Sequence, residues 1–188
     1  MKKKLIILVG MSGSGKTTTL HHLTKNYTMN IIPQWTTRPK RKFEESESDY
    51  LFATKENSPF VKDMLTHYAT KTVYGIWHYG FSRQQFEDNP NKINILVTEL
   101  DSALKLKSAL EGQYDTHIIF LNPPIKDIRK RLEKRGDNPE EVRRRLLADA
   151  EDFQYAHLLT DYEVNTSEMN ITKLLIDDYL KVSGVLWN

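Results

Sequence analysis

The chain has 188 residues and a formal net charge of +2, a length that fits one domain and a balance that gives no argument for a nucleic-acid or membrane-surface partner. It contains no cysteine, which excludes disulfides, Cys-ligated zinc and thiol catalysis. Its 39% hydrophobic residues suffice for a sizeable core, and no stretch is long enough to span a bilayer, so a cytoplasmic protein is expected.

The opening MKKKLIILVG has the charge pattern of a signal peptide, but its apolar part is short and runs straight into glycines, so it reads as a first strand. Residues 5–9 (LIILV) are the continuous apolar run of a parallel strand buried on both faces. Residues 10–17 read GMSGSGKT and fit the phosphate-loop pattern G-x-x-x-x-G-K-[ST] at every position. Residues 18–25 then read as a helix. Gly10, Gly13 and Gly15 let the backbone turn tightly and approach a ligand. Main-chain N–H groups and the helix N-terminus favour phosphate, so Ser12, Ser14, Lys16, Thr17 and Thr18 join the three glycines as the nucleotide-binding set. Lys16 is expected to reach the β- and γ-phosphates, and the Thr17 hydroxyl to sit on Mg²⁺. ATP or GTP follows from this loop; the reaction does not.

Residues 31–35 suggest a short strand, with Pro33 arguing against a central position. Residues 36–50 carry both charge signs and on composition alone are a solvated loop. Within them, Arg38 and Arg41 can converge on a phosphate dianion, which a planar guanidinium grips bidentately, and the Tyr50 phenol adds a donor. Residues 68–74 read as a strand, 75–77 as the turn back, and 78–80 as the start of the return strand.

Residues 93–97 (INILV) are a second buried strand, closing on Thr98-Glu99-Leu100-Asp101. Acids at a strand end beside a phosphate loop suit Mg²⁺ and substrate hydroxyls. A helix over 102–110 and a third buried strand over 116–121 follow, the latter stopped by Pro123-Pro124. Helices over 125–135 and 140–155 flank a break at 136–139. Arg131 and Arg135 share one face of the first, while some of Arg129, Lys130, Arg143 and Arg144 belong to its solvated surface. A last strand over 161–165 and a helix over Met169–Val182 close the chain. The histidines show no ligand spacing, and His21 and His22 read as structural. Strands alternating with helices give an α/β parallel sheet flanked by helices.

Over residues 4–182 these features resemble the guanylate kinases, P-loop nucleoside monophosphate kinases whose acceptor loop reads TTR-x-x-R, then GE, then a Tyr six residues after the Glu. Here the loop is TTRPKR, with Glu44 and Tyr50 downstream and Phe43 in place of the family's Gly. The resemblance implies Arg38, Arg41 and Tyr50 as acceptor-phosphate ligands. Tyr79-Gly80 matches the family's Tyr-Gly-[ST] and makes Tyr79 a fourth, with Tyr74-Gly75 as the rival register. Glu99-x-Asp101 looks like the family's acid-x-Asp pair. Gln34 stands where the family has a base-contacting Ser. The family's guanine-reading Glu has no counterpart, since no carboxylate lies between Asp63 and Glu87. The helix–break–helix resembles the family's lid and implies Arg131, Arg135 and Arg145 over the transferred phosphoryl group, with Arg144 competing for the last place. Asn165 matches an Asn near the adenine, although Thr166 replaces the family's following Asp.

The implied fold is a P-loop kinase with a core of residues 1–35, 91–128 and 156–188, a small acceptor-binding β subdomain over 36–90 and a helical lid over 129–155. The implied activity is transfer of the γ-phosphoryl of ATP, with Mg²⁺, to a phosphate monoester, GMP foremost, by a monomer or homodimer with no nucleic-acid or membrane partner. Three alternatives stay open: a sugar-phosphate kinase like the ribose 1,5-bisphosphokinases, a non-catalytic guanylate kinase-like binding module, and a GTPase switch. The last lacks an N-K-x-D motif, since Asn91-Lys92 continues as Ile93-Asn94.

Overall fold

The computed structural model describes residues 2–40, 49–53, 63–87 and 93–186; the expected ligands Arg41 and Glu44 lie outside these. β1 (Lys3–Val9) leads through the glycine loop into α1 (Lys16–Asn26), which begins two residues earlier than the sequence suggests. Residues 31–35, expected as one strand, divide into β2 (Asn30–Ile31) and β3 (Gln34–Thr36), which belong to different sheets. Pro33 lies between them, where a missing N–H costs no ladder bond.

β4 (Tyr50–Phe52) pairs parallel with β3. β5 (Met64–Thr72) and β6 (Gly75–Ser82) form a long hairpin whose turn is Val73-Tyr74, not the expected 75–77. The Thr72 hydroxyl accepts from Tyr74 N–H (3.1 Å) and donates to the Gly75 carbonyl (2.9 Å). Gly75 has φ +123, so it ends the turn and leaves Ile76 and Trp77 in the strand. α2 (Gln84–Glu87), β7 (Ile93–Val97), α3 (Leu100–Ala109), β8 (Tyr114–Leu121) and α4 (Ile125–Lys134) follow. α5 (Pro139–Asp152), α6 (Ala156–Leu159), β9 (Tyr162–Val164) and α7 (Met169–Val182) complete the chain. Among the described residues, no helix is long and apolar enough to cross a membrane.

The main sheet has the order β2-β7-β1-β8-β9 with every pair parallel. β1 is central, and its side chains divide between two cores. Leu5, Ile7 and Val9 pack with Leu106, Ile128 and Leu132; Ile6 and Leu8 pack with Leu20, Leu23 and Ile176. Helices thus cover both faces, which is why the strand shows no polar alternation. The loop after β1 emerges at the carboxyl edge of the sheet, where open parallel sheets form their ligand crevices.

The second sheet is mixed, in the order β4-β3-β6-β5. Phe81 and Phe86 anchor it, meeting edge-on, and Phe86 in turn meets edge-on Tyr114, whose hydroxyl donates to the Phe86 carbonyl (3.0 Å). A Cβ on Gly80 would meet the Thr66 carbonyl oxygen at 2.2 Å and Met64 Cε at 2.5 Å, so the hairpin closes there only on glycine. Gly80→Ala should therefore destabilise the protein by about 1–3 kcal/mol, the usual cost of overpacking. Urea denaturation measures it; an unchanged midpoint would refute the tight approach.

Candidate active site

A cleft of about 900 Å³ lies between the glycine loop, the second sheet and helices α4 and α5. Its wall brings together most of the residues expected from sequence: Gly10, Ser12, Gly13, Gly15, Lys16, Thr17 and Thr18 on one side, and Gln34, Arg38, Tyr50 and Tyr79 on the other. Glu99 and Asp101 border it from the α3 side, and Arg131, Arg135 and Arg145 from the α4–α5 side. Ser14 and Asn165 are not on this wall. The Ser14 hydroxyl is buried, and its N–H donates to the Met11 carbonyl within the loop (3.0 Å). Asn165 is exposed, its side chain accepting from Ser167 N–H (2.8 Å). The residue that meets the loop is instead Thr166, whose hydroxyl donates to the Ser14 carbonyl (2.6 Å).

The loop is built around close backbone approaches. Gly10 has φ +148, and a Cβ there would sit 2.5 Å from the Leu121 carbonyl oxygen. The amides of Lys16, Thr17 and Thr18 form the first turn of α1, which a helix leaves without intrahelical partners. Lys16 Nζ folds back onto the carbonyls of Gly10 (2.5 Å) and Met11 (3.0 Å). Burial lowers its pKa to about 8; Asp149 and Asp49 oppose the shift, while Arg135 and Arg145 add to it. Ser12 N–H donates to Asp149 Oδ2 (2.6 Å), and the Thr17 hydroxyl donates to Asp49 Oδ2 (3.3 Å). That hydroxyl–carboxylate pair is the hard-oxygen donor set magnesium takes.

Across the cleft, Arg38 is 4% exposed, its guanidinium 4.9 Å from the Tyr50 ring and 5.4 Å from that of Phe52. Tyr79 stacks on Tyr68 at 5.2 Å and meets Tyr50 edge-on at 6.5 Å. Tyr74 sits at the hairpin tip, 62% exposed and stacked on Trp77, so the geometry places Tyr79 rather than Tyr74 beside Arg38 and Tyr50. Gln34 is buried, with Nε2 donating to Thr98 Oγ1 (2.9 Å) and 3.5 Å from the Tyr68 hydroxyl. Burial pushes the Tyr68 phenol well above its ordinary pKa, and the nearby Tyr50, Glu99 and Tyr79 add to the shift. Tyr68 and Thr98 were not anticipated. Tyr68 pairs directly with Tyr79 across the hairpin, a register the sequence alone does not display.

The acids after β7 sit at a helix start rather than at a strand end. The strand ends at Val97 and α3 begins at Leu100 rather than 102, so Glu99 is the N-cap, accepting from Asp101 N–H (2.9 Å) and Ser102 N–H (2.6 Å). Burial raises its carboxyl to about 7 against those two bonds. Asp101, in the first turn of α3, pairs with Lys105 (2.6 Å) at the border of the cleft.

Of the arginines, Arg131 donates to the carbonyls of Gly13 (3.1 Å), Ser14 (3.3 Å) and Thr166, and Arg135 pairs with Asp137. Arg144 and Arg145 both bind Glu141. Arg145 is the more buried, its side chain 12% exposed against 29%, and its charge is felt at Lys16.

A parallel sheet whose central strand runs through an intact phosphate loop into a helix defines a P-loop protein, here with a second sheet and a helix pair facing the loop. A family model described as an AAA domain matches residues 5–156. Relatives are guanylate kinases: that of Aster yellows witches'-broom phytoplasma (strain AYWB) is 32% identical, the match covering 96% of this chain and 94% of the relative. That of Thermotoga maritima is 32% identical over 74% of this chain and 68% of its own length. In fold, the crystal structure of guanylate kinase from Anaplasma phagocytophilum superposes with a TM-score of 0.65 at 22% identity, covering 97% of this chain and 86% of that one. This chain belongs to the guanylate kinase family.

Proposed function

We propose that the protein transfers the γ-phosphoryl group of ATP to the phosphate of a nucleoside monophosphate, with GMP as the acceptor. The observation that carries this reading is one cleft with two cationic, phosphate-suited walls facing each other, Lys16 and the loop amides on one and Arg38 with Tyr50 and Tyr79 on the other. A nucleotide on the loop and a monophosphate on the far wall would meet between them, under the arginines of α4 and α5. Arg41 and Glu44 are assigned to the acceptor side on the loop pattern they share with the family.

The acceptor phosphate is already anionic at neutral pH, so its oxygen attacks without a dedicated general base while the bond to the ADP oxygen breaks. The protein's part is alignment and charge neutralisation. Lys16 would hold the β/γ bridge, Arg131, Arg135 and Arg145 would answer charge on the moving group, and Arg38 would fix the attacking phosphate. Thr17 and Asp49 would hold magnesium, which when bound neutralises phosphate charge. On the base side, Gln34 Nε2 is committed to Thr98, leaving its carbonyl oxygen and the Tyr68 hydroxyl to read the acceptor.

The relatives favour GMP over a sugar phosphate, and the intact loop disfavours a non-catalytic module. A coupled ADP-release assay with Mg-ATP tests the reading over GMP, dGMP, AMP, CMP, UMP, dTMP and ribose 1,5-bisphosphate. Turnover highest on GMP is expected. Turnover on another acceptor alone would move the specificity, and silence on all of them with ATP still bound would sink the transferase reading.

A further inference from the structure

Glu141, in the first turn of α5, is 1% exposed. A carboxylate so deep persists only where its charge is met by donors. Three groups meet it. Arg145 Nε donates to Oε1 at 2.7 Å, and Arg144 spans both oxygens, Nη2 to Oε1 at 2.9 Å and Nε to Oε2 at 3.0 Å. The third donor comes from a distant part of the chain: the N–H of Val73, at the β5–β6 hairpin tip, reaches Oε2 at 3.2 Å. Burial alone would raise this carboxyl, but these bonds outweigh it and hold the pKa at about 2. The carboxylate is therefore ionised throughout the physiological range.

We propose that Glu141 is a positioning residue: it holds the guanidinium groups of Arg144 and Arg145 in one orientation and, through the Val73 amide, ties that orientation to docking of the hairpin. The inference rests on the phosphotransfer reading of the cleft. The hairpin supplies Tyr68 and Tyr79 to the acceptor wall, and α5 supplies Arg145 to the loop side. Glu141 is bonded to both pieces, so the arginines are set when the acceptor wall is in place. An arginine fork held before substrate arrives has already lost its side-chain freedom, which is the condition for useful electrostatic stabilisation. Asp137 steadies Arg145 from the other side at 3.3 Å.

Two measurements on the full chain test this. The first is amide hydrogen exchange: in Glu141→Gln, exchange at Val73 should rise about tenfold as its acceptor weakens, while β1 amides stay unchanged. The second is a kinetic cycle with Mg-ATP and GMP over wild type, Glu141→Gln, Arg145→Ala and the double variant. Glu141→Gln should lower kcat about tenfold or more with the KM for ATP within about twofold, the mark of a lost transition-state interaction. Because Glu141 acts in part through Arg145, the double variant should lose less than the product of the two single losses. Glu141→Gln keeps the side-chain volume, and a circular-dichroism melt checks that it folds. Unchanged Val73 exchange, or losses that multiply in the double variant, would overturn the proposal. Should the wild type fail on GMP, the exchange arm still decides whether the latch exists, so its failure and that of the acceptor assignment are read separately.

Discussion

Replacing Lys16 by alanine should lower kcat about 10³-fold or more and leave the protein folded. The ammonium stands where the glycine loop turns into α1, its nitrogen held by the Gly10 and Met11 carbonyls. The nearby Arg131, Arg135 and Arg145 project from α4, its C-cap and α5 rather than from the loop, so none of them takes the lysine's place at the start of α1. The fold should not suffer, for a reason of sign. The pKa of Lys16 in the folded protein is about 8, below the ordinary lysine value, so the charged form opposes folding at neutral pH. That penalty is present below pH 8 and disappears as pH rises towards the unfolded pKa. The variant should therefore melt no lower than wild type without nucleotide at pH 7, while losing the stabilisation that ATP confers. Initial rates of ADP formation and paired melting curves measure both. A kcat within about tenfold of wild type would remove Lys16 from the chemistry.

What the chain disclosed in advance depends on how local each feature is. The phosphate loop was legible because its geometry demands glycine at fixed places and a lysine at a fixed offset, and backbone demands of that kind are written in consecutive residues. β1, β7 and β8 were legible because strands covered on both faces lose their polar alternation. The divided strand at 30–36 was not, since a five-residue window says nothing about which sheet each half joins. Nor was the hairpin turn: Gly75 announced a turn, but only its φ of +123 shows that it closes the turn rather than opens it. The helix start after β7 was read two residues late because an N-cap carboxylate and an acid at a strand end look alike in sequence; the bonds from Asp101 and Ser102 N–H show that Glu99 is the cap, on the border of the cleft.

The tertiary contacts were least accessible. Asp49 meets Thr17, Asp149 meets Ser12, and Glu141 meets Val73, each across a long loop of chain and without a motif. Glu141 alone carried a local hint, four residues before Arg145 on one helix. Its neighbour Arg144 shares the carboxylate.

Arg38→Ala should act on the opposite wall and leave a different kinetic signature. The guanidinium is 4% exposed, lies over Tyr50 and Phe52, and donates to the Pro39 carbonyl at 2.9 Å. Aromatic faces and a backbone acceptor orient the planar fork, the geometry that bidentate capture of a phosphate dianion requires. Removing two charge-assisted bonds to that dianion costs roughly 3–4 kcal/mol, which predicts a loss of about 10²–10³-fold in kcat/KM for GMP. The KM for ATP should stay within about twofold, because the loop wall is untouched. Arg38→Lys should recover little of the loss: an ammonium restores the charge but neither the planar fork nor the stacking on Tyr50. Steady-state kinetics with each substrate varied in turn separates the outcomes. A parallel rise in both KM values would mean that Arg38 supports the cleft as a whole. A kcat/KM for GMP within about threefold of wild type would place the acceptor phosphate elsewhere and leave Arg38 as part of the wall's packing only.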